Sequence, residues 1–414
     1  MDPLLFLAHR IPFPPNKGDK IRSFHLLKHL SRRFRIYLGS FVDDPDDWRH
    51  REELRAYCES LCLRPLNPAR ARVRSLTGLF TGQPLTLGYF RDGAMTAWVR
   101  EVLDRGIDRV LVFSAAMAQY VPLDPASRRT TVVDFVDVDS DKWRQYADRH
   151  RPPMNQIYRR EARTLLAYER QLATAADAAV FVSDDEAALF RRLAPEAAAR
   201  VHAVDNGVDT EYFSPERPYP NPYPAGSINL AFTGAMDYWA NVEAVSWFAA
   251  EVFPLVRRNW PDARFVIAGA RPTSGVLQLA MRAGVVVTGA VSDIRPYIAH
   301  ADVIVAPLRT ARGVQNKVLE ALAMARPVVV TPRALEGLRS DPEMQWLVGE
   351  EPAQLAALCM RVLKGSYQND AGRKFVCRNY SWSNSVDRLI RLLEDGWRPG
   401  LTKGTAEARR KRHE

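Results

Sequence analysis

The segment Val303–Pro332, VIVAPLRTARGVQNKVLEALAMARPVVVTP, contains an apolar run, a polar loop, a short helical pattern and a second apolar run. Both apolar runs are short and continuous, which is typical of parallel strands that are covered on both faces. Between them, Val318, Leu319 and Leu322 form the apolar stripe of a helix. Strand, helix and strand in this order predict one βαβ unit of a parallel sheet.

The same alternation runs along the rest of the chain. The first half contains the runs PLLFLA, RIYLGSF, RVLVFS, TTVVDFV and AAVFVS, and the second half contains INLAFTG, RFVIAGA, VVVTGAV, VIVAPL and PVVVTP. Between the halves, SPERPYPNPYPAGS has a proline at every second or third position, which favours an extended linker. We therefore predict an α/β protein with two doubly wound, Rossmann-like domains that face each other across a cleft.

The predicted boundaries follow from these patterns. They are a first Rossmann-like domain at 1–213, a Pro-rich linker at 214–227, a second Rossmann-like domain at 228–378, a C-terminal helix at 379–397 that covers the second domain or crosses back to the first, and a basic, disordered tail at 398–414.

Composition excludes several classes of protein. No apolar run of the 414 residues approaches the ~18 to 20 residues that span a bilayer, and the N-terminus lacks the basic start of a signal peptide. We therefore expect a cytoplasmic protein. The four cysteines are too few for a disulfide framework. No acidic third ligand accompanies the pair His25 and His29, so we expect no metal site.

The net charge of +10 indicates an anionic substrate, an anionic membrane surface or nucleic acid, although no nucleic-acid motif is present. The interval from Ser60 to Arg91 contains no Asp or Glu. Arginines lie there beside apolar side chains, as on a segment that contacts anionic lipid, although a solvated basic loop fits equally well. The candidates for membrane contact are Arg70, Arg72, Arg74, Leu79 and Phe80.

A candidate anion site lies at the start of the helix after VIVAPL. Free N–H groups at a helix N-terminus favour an anion, which would also offset the unfavourable position of Lys317 in the first turn. Glu320 lies on the same face and can accept hydrogen bonds from sugar hydroxyls, but a surface ion pair between Lys317 and Glu320 is the alternative. With a glycine after INLAFTG, the candidates are Gly234, Arg312, Gly313, Val314, Asn316, Lys317 and Glu320.

The first half offers candidates for a charged acceptor. Basic residues surround a glycine turn after the first strand, and carboxylates follow TTVVDFV, where one of them can orient a hydroxyl or cap a helix. These candidates are Arg10, Lys17, Gly18, Arg22, Asp137 and Asp139.

The segments YERQLATAADAAVFVSDDEAALF, VHAVDNGVDTEYFSP and ADVIVAPL with KVLEALAMARPVV resemble those of retaining glycosyltransferases of family 4, which have the GT-B fold. RIPFPPNKGDKIRSFHLLKHL and VVDFVDVDSDKW resemble a bacterial subgroup associated with exopolysaccharide and PEP-CTERM/exosortase gene clusters. The resemblance implies donor binding in the second domain, acceptor binding in the first, and sugar transfer from a nucleotide diphosphate with retained configuration.

The resemblance also assigns roles and shows departures. Glu320 corresponds to the second glutamate of the family's E-x7-E signature, but Arg312 stands where the first is expected. The basic pair that grips the diphosphate is missing from GAMDYWAN, so Lys317 and Arg312 would replace it. Asp137 lies where many members have a histidine, which makes it, with Lys317 and Glu320, a catalytic candidate.

These implications give the expected function. The protein is expected to transfer a sugar to a saccharide or lipid-linked acceptor in bacterial exopolysaccharide or cell-surface glycan synthesis, with no cofactor and no nucleic-acid partner. It is expected in the cytoplasm or on the inner face of the cytoplasmic membrane. Two alternatives remain: a nucleotide-sugar epimerase of the same fold, and an inactive nucleotide-sugar-binding partner in a polysaccharide assembly complex.

Overall fold

A computed structural model describes residues 1–15, 18–123, 129–311, 314–339, 341–365 and 370–395. Their contacts divide the chain into two compact units: Met1–Asp205 together with the residues from Ser385 on, and Asn206–Asn384. The Pro-rich segment lies within the second unit. The domain boundaries drawn from sequence stay a prediction.

The first unit contains a seven-stranded parallel sheet. Its strands are β1 Asp2–Ala8, β2 Phe34–Val42, β3 Ser60–Pro65, β4 Arg109–Phe113, β5 Thr130–Val136, β6 Ala178–Phe181 and β7 Val201–Ala203. Its helices are α1 Gly18–Leu30, α2 Arg51–Arg55, α3 Pro68–Ser75, α4 Gly78–Thr81, α5 Leu85–Tyr89, α6 Gly93–Asp104, α7 Asp139–Arg149, α8 Met154–Ala175 and α9 Asp184–Leu193.

The second unit contains a six-stranded parallel sheet. Its strands are β8 Ile228–Thr233, β9 Ala263–Ala268, β10 Val285–Gly289, β11 Val303–Ala306, β12 Val328–Val330 and β13 Leu347–Val348. Its helices are α10 Trp239–Trp247, α11 Phe253–Asn259, α12 Ser274–Gln278, α13 Arg295–Ala299, α14 Asn316–Ala323, α15 Pro352–Leu363 and α16 Asp370–Asn379, and α17 Trp382–Asp395 begins in this unit and ends in the first.

Both sheets are doubly wound. The strand order is β3-β2-β1-β4-β5-β6-β7 in the first and β10-β9-β8-β11-β12-β13 in the second. The central strands are buried throughout most of their length, as expected when helices cover both faces. The predicted pair of Rossmann-like domains is therefore confirmed. In each sheet the order reverses once, between β1 and β4 and between β8 and β11.

Some elements differ from the expectation. The strands β3, β7 and β13 lie at the sheet edges; β3 is only partly buried, and β7 and β13 have three and two residues, so their sequences give little strand signal. A π-helical turn at Phe248–Val252 interrupts the helical segment after β8 and separates α10 from α11. Pro254 accounts for the interruption because it cannot donate a backbone hydrogen bond. Of the described helices, none has the length and hydrophobicity that a bilayer crossing needs.

Candidate functional site

The carboxyl ends of β8 and β11 bring the main candidate residues together. These strands are neighbours, with Val303 paired to Leu230, and the order of the sheet reverses between them. Ligands of doubly wound sheets bind outside the carboxyl ends of the strands at such a point. Gly234 directly follows β8, and α14 begins after the loop that leaves β11.

Gly234 occupies a position that strains any other residue. Its φ of +153° lies in a region that side chains rarely adopt, and a Cβ here would lie 2.8 Å from Asn241 Nδ2 and 3.6 Å from Lys317 Cε. The backbone of Gly269, which follows β9, lies directly against Gly234. A Cβ on Gly269 would overlap with the Gly234 carbonyl oxygen. At Gly234 and Gly269 two backbone segments lie in close contact, and the Lys317 side chain lies beside Gly234.

Lys317 lies in the first turn of α14 and points towards β8. Its Nζ stands 5.3 Å from the centre of the Phe232 ring and 3.5 Å from Gln315 Oε1. Burial lowers the pKa of Lys317 to about 8, and the nearby charge of Glu320 offsets only part of this effect. A phosphate at this position would supply the missing negative charge.

Glu320 lies one turn further along α14. Burial raises the pKa of Glu320 to about 7, although the charge of Lys317 opposes the shift. Within the described part of the chain, Lys317 donates to Gln315 Oε1 and forms no direct ion pair with Glu320, although the charges of Lys317 and Glu320 attract each other. Both side chains are partly buried beside the carboxyl ends of β8 and β11 and have shifted pKa values, which is frequent at functional sites.

A wall beside Glu320 was not predicted from sequence. The Arg295 guanidinium stacks 3.8 Å from the centre of the Tyr212 ring and binds both carboxylate oxygens of Asp293. Burial is the main cause that raises the pKa of Tyr212. The negative charges of Asp293 and Glu320 raise it further, and Arg295 opposes them. The only sequence signal was the NGVD motif, which carries Tyr212 six residues after Asn206.

The remaining donor candidates are less informative. Val314 is partly buried against the core of the second unit, and Asn316 begins α14 with an exposed side chain. Arg312 and Gly313 lie outside the described residues. Helix α10 begins at Trp239, and Asn241 in its first turn donates through Nδ2 to the Ala235 carbonyl oxygen at 2.9 Å.

The first unit has a polar cluster at its own reversal point. Arg10 follows β1 and bridges Asp19 and Asp43, each at 3.0 Å. His9 stacks on Phe113 at the end of β4, and its Nε2 lies 3.3 Å from Asp19. Burial would raise the pKa of Asp19, but His9 and Arg10 lower it overall. Sequence reasoning found Arg10 but missed both carboxylates and His9, because their contacts connect separate elements.

The other basic candidates after β1 differ in their surroundings. Gly18 begins α1, and Lys17 lies outside the described residues. Arg22 is 1% exposed, and its Nε donates to the fully buried Asp134 at 2.8 Å. This pair connects α1 to β5 inside the unit, so the structure keeps Arg22 apart from the Arg10 cluster.

Asp137 and Asp139 come together through Lys142. The Lys142 Nζ lies 2.7 Å from Asp137 and 3.0 Å from Asp139. Burial alone would lower the pKa of Lys142, but the two carboxylates raise it overall. Val136, just before Asp137, has a φ of +69°, which is a strained conformation for a β-branched residue. Strain of this kind is frequent at functional sites.

The described residues contain no group of three or more His, Cys, Asp or Glu side chains arranged to hold a metal ion. A cavity of about 640 Å³ in the first unit lies between the α4–α5 connection and α8. It is lined by Gly82, Gln83, Pro84, Leu87, Arg163, Thr164, Ala167, Tyr168 and Gln171, none of which belongs to the clusters above.

Comparison with known proteins agrees with this geometry. Residues 227–365, which include Gly234, Lys317 and Glu320, match the family of glycosyl transferases group 1. A glycosyltransferase from Rickettsia africae ESF-5 has a similar structure, with a TM-score of 0.62 at 11% identity over 95% of this chain and 98% of that one. The chain has the GT-B fold.

Two further GT-B structures are similar. HepE from Anabaena, solved in complex with UDP and glucose, has a TM-score of 0.60 at 14% identity, and WaaG, a glycosyltransferase involved in lipopolysaccharide biosynthesis, has 0.61 at 14%. Each comparison covers 95% of this chain and 100% of the other. No curated protein shows a sequence match to this chain. The group 1 domain and the fold together support a GT-B glycosyltransferase, while membership of family 4 and of the exosortase-associated subgroup stays a prediction.

Proposed function

We propose that this protein is a retaining glycosyltransferase that moves a sugar from a nucleotide diphosphate to a hydroxyl of a saccharide or lipid-linked acceptor. The observation that carries the proposal is the approach of Lys317 to the bare backbone of Gly234, with Glu320 one turn away, inside the group 1 domain. A diphosphate fits beside Lys317 and the first N–H groups of α14, and the sugar or ribose hydroxyls fit beside Glu320.

In the proposed reaction, the bond between the anomeric carbon and the diphosphate oxygen breaks. The acceptor oxygen bonds to the same carbon, on the face from which the leaving group departs. The proton of the acceptor hydroxyl passes to the departing phosphate oxygen. The ammonium of Lys317 and the N-terminal end of α14 stabilise the growing negative charge. We assign Asp137 and Asp139 a role in positioning the acceptor hydroxyl and Arg10 a role in binding a charged acceptor.

The biological setting that we propose is the synthesis of a bacterial exopolysaccharide or cell-surface glycan. The sequence resemblance to exosortase-associated transferases supports it, and WaaG offers a structural neighbour that acts in lipopolysaccharide biosynthesis. HepE was solved with UDP and with UDP-glucose, which makes a UDP-sugar the first donor to test.

Donor binding is tested by thermal unfolding in the presence of UDP-, GDP-, ADP- and dTDP-sugars, because a ligand of the native state raises its apparent stability. We expect one donor class to raise the unfolding temperature and expect Lys317→Ala and Glu320→Ala to abolish that increase. Lys364→Ala is the matched control, since Lys364 is exposed in the same unit. If both site variants keep the full increase, the proposed donor site is wrong.

Transfer is tested by following release of the nucleotide diphosphate with and without a saccharide or lipid-linked acceptor. Release only with acceptor, together with retained configuration in the product, supports the proposal. Conversion of the donor into its epimer, with no net release of nucleotide diphosphate, would favour the epimerase alternative. A second candidate function, an inactive donor-binding protein, is favoured by Arg312 at the place of a signature acid and by the missing basic pair in GAMDYWAN. Tight donor binding without turnover would support it.

A further inference from the structure

The solvent-facing side of α3 and α4 carries several exposed apolar side chains. Val73 is 70% exposed, Leu76 49%, Leu79 38% and Phe80 91%. Four large apolar side chains within eight residues form a continuous patch, whereas single exposed ones are ordinary on a soluble protein. We call the outward face of residues 69–80 the ridge.

The ridge has the geometry of an amphipathic element. Hydrogen bonds from Leu76 to Val73 and from Phe80 to Thr77 continue the helical path from α3 into α4. On this path Ala71, Ser75 and Gly78 face inward and are buried. At 3.6 residues per turn, Val73, Leu76 and Phe80 therefore face outward.

Two arginines flank the apolar line on opposite sides. Arg70 and Arg72 are both exposed, and no carboxylate in the described part of the chain pairs with either. The sequence between Ser60 and Arg91 supplies no acidic residue at all. Arg74 does not belong to the ridge, because its guanidinium donates to the carbonyls of Gly88 and Tyr89.

The ridge is held firmly from below. Asn67 caps α3 by accepting from the N–H groups of Ala69 and Arg70 at 3.0 and 3.1 Å. From α8, the buried Glu161 accepts from Leu85 N at 2.7 Å and Thr86 N at 2.9 Å, and Arg160 donates to the Gly78 carbonyl. These hydrogen bonds fix the backbone beneath the exposed apolar side chains. Among the described residues, Arg70 and Arg72 have no carboxylate partner on this surface.

We propose that the ridge docks onto the surface of a membrane that contains anionic lipid. Phe80, Val73 and Leu76 would enter the boundary between headgroups and acyl chains, while Arg70 and Arg72 remain at the level of the lipid phosphates. Arg70 and Arg72 have no carboxylate partner within the residues that the structure describes, and they lie beside the apolar side chains of the ridge. This combination is complementary to an anionic membrane surface and not to an uncharged apolar surface. The inference goes beyond sugar transfer, and its test requires neither donor nor acceptor.

The test measures cosedimentation of the full chain with vesicles of phosphatidylglycerol and phosphatidylcholine in equal parts, and with phosphatidylcholine alone. We expect binding to the anionic vesicles that weakens as salt rises. Val73→Ser with Phe80→Ser should reduce the partition coefficient about tenfold, because the buried apolar area is lost. The control pair is Leu277→Ser with Met281→Ser, which changes two large apolar side chains that are 51% and 88% exposed in the second unit.

The charge contribution is tested separately. Arg70→Gln with Arg72→Gln should reduce anionic binding about tenfold at low salt, whereas Arg32→Gln with Arg151→Gln, at exposed positions elsewhere, should change it little. All variants keep the basic C-terminal sequence, so its contribution cancels. Equal binding to both kinds of vesicle, or equal losses in the ridge and control variants, would overturn the proposal. So would a dimer in solution that the ridge substitutions dissociate, since a second copy would then be the occupant.

Discussion

Lys317 and Gly234 come from different βα units and meet at the point where the second sheet reverses its strand order. The Lys317 Cε lies 3.6 Å from the place where a Cβ of residue 234 would stand. This proximity connects the two halves of the candidate donor site, because Gly234 follows β8 and Lys317 opens α14. A side chain at residue 234 would occupy the space beside the lysine.

Gly234→Ala should therefore lower both stability and donor binding. The φ of +153° strains any other residue by about 1–3 kcal/mol, and the new methyl group would meet Asn241 Nδ2 at 2.8 Å. Gly226→Ala is the matched control, since Gly226 also has a positive φ, +74°, but open space around it. Denaturant unfolding and the donor-induced thermal shift measure the two effects. If both variants lose equal stability and both retain the donor-induced thermal shift, crowding at residue 234 contributes neither to stability nor to donor binding.

The affinity for a nucleotide diphosphate should fall as the pH rises above about 8. Burial lowers the pKa of Lys317 to about 8, so the free protein loses this positive charge over a range in which an ordinary lysine keeps it. Titration calorimetry with UDP at about pH 7 and about pH 9.5 should show a drop of roughly tenfold. Lys317→Arg should flatten the profile, because a guanidinium stays charged. A wild-type affinity that is constant across this range would contradict the assignment.

Glu320→Gln should stabilise the fold at alkaline pH while weakening donor binding. The folded-state pKa of about 7 exceeds the ordinary 4.5, so the folded protein holds more protons between these values and loses stability as the pH rises through them. Above pH 7 the buried charge is a cost that glutamine removes, on the order of 1 kcal/mol. Thermal unfolding should show this gain at about pH 8 and little gain at about pH 5.

The control for this substitution is Glu251→Gln, at an exposed position of the second unit. It should change the unfolding temperature little at either pH. An equal gain for Glu320→Gln at both pH values would mean that the buried charge is not its cause.

The fold could be predicted from sequence because its signal is repetitive. Continuous apolar runs such as Val303–Ala306 alternate with helical stripes, and that alternation alone implies parallel sheets covered on both faces. The edge strand β3 escaped prediction because it is only partly buried, and β13 because it has two residues, so hydrophobicity does not distinguish them from loops.

The candidate site was predictable only where one segment contains it. Lys317 and Glu320 share α14, and helical spacing alone places them on one face. The proximity of Lys317 to Phe232 and Gly234, and the electrostatic effect of Glu320 on Tyr212, depend on how separate elements pack, which spacing within one segment cannot show. The same holds for Arg10, whose partners Asp19 and Asp43 follow in α1 and after β2.

The buried pair of Arg22 and Asp134 should contribute far more to the stability of the first unit than an exposed ion pair does. The side chains are 1% and 0% exposed, so Asp134→Ala leaves a buried guanidinium without its carboxylate and should lower the free energy of unfolding by about 3–5 kcal/mol. Arg22→Met with Asp134→Leu should lose less, because both charges are gone. Glu101→Ala, which removes the exposed partner of Arg105, should cost under about 1 kcal/mol. Denaturant unfolding of the four proteins measures these differences, and a similar small loss for Asp134→Ala and Glu101→Ala would show that water reaches the Arg22 guanidinium.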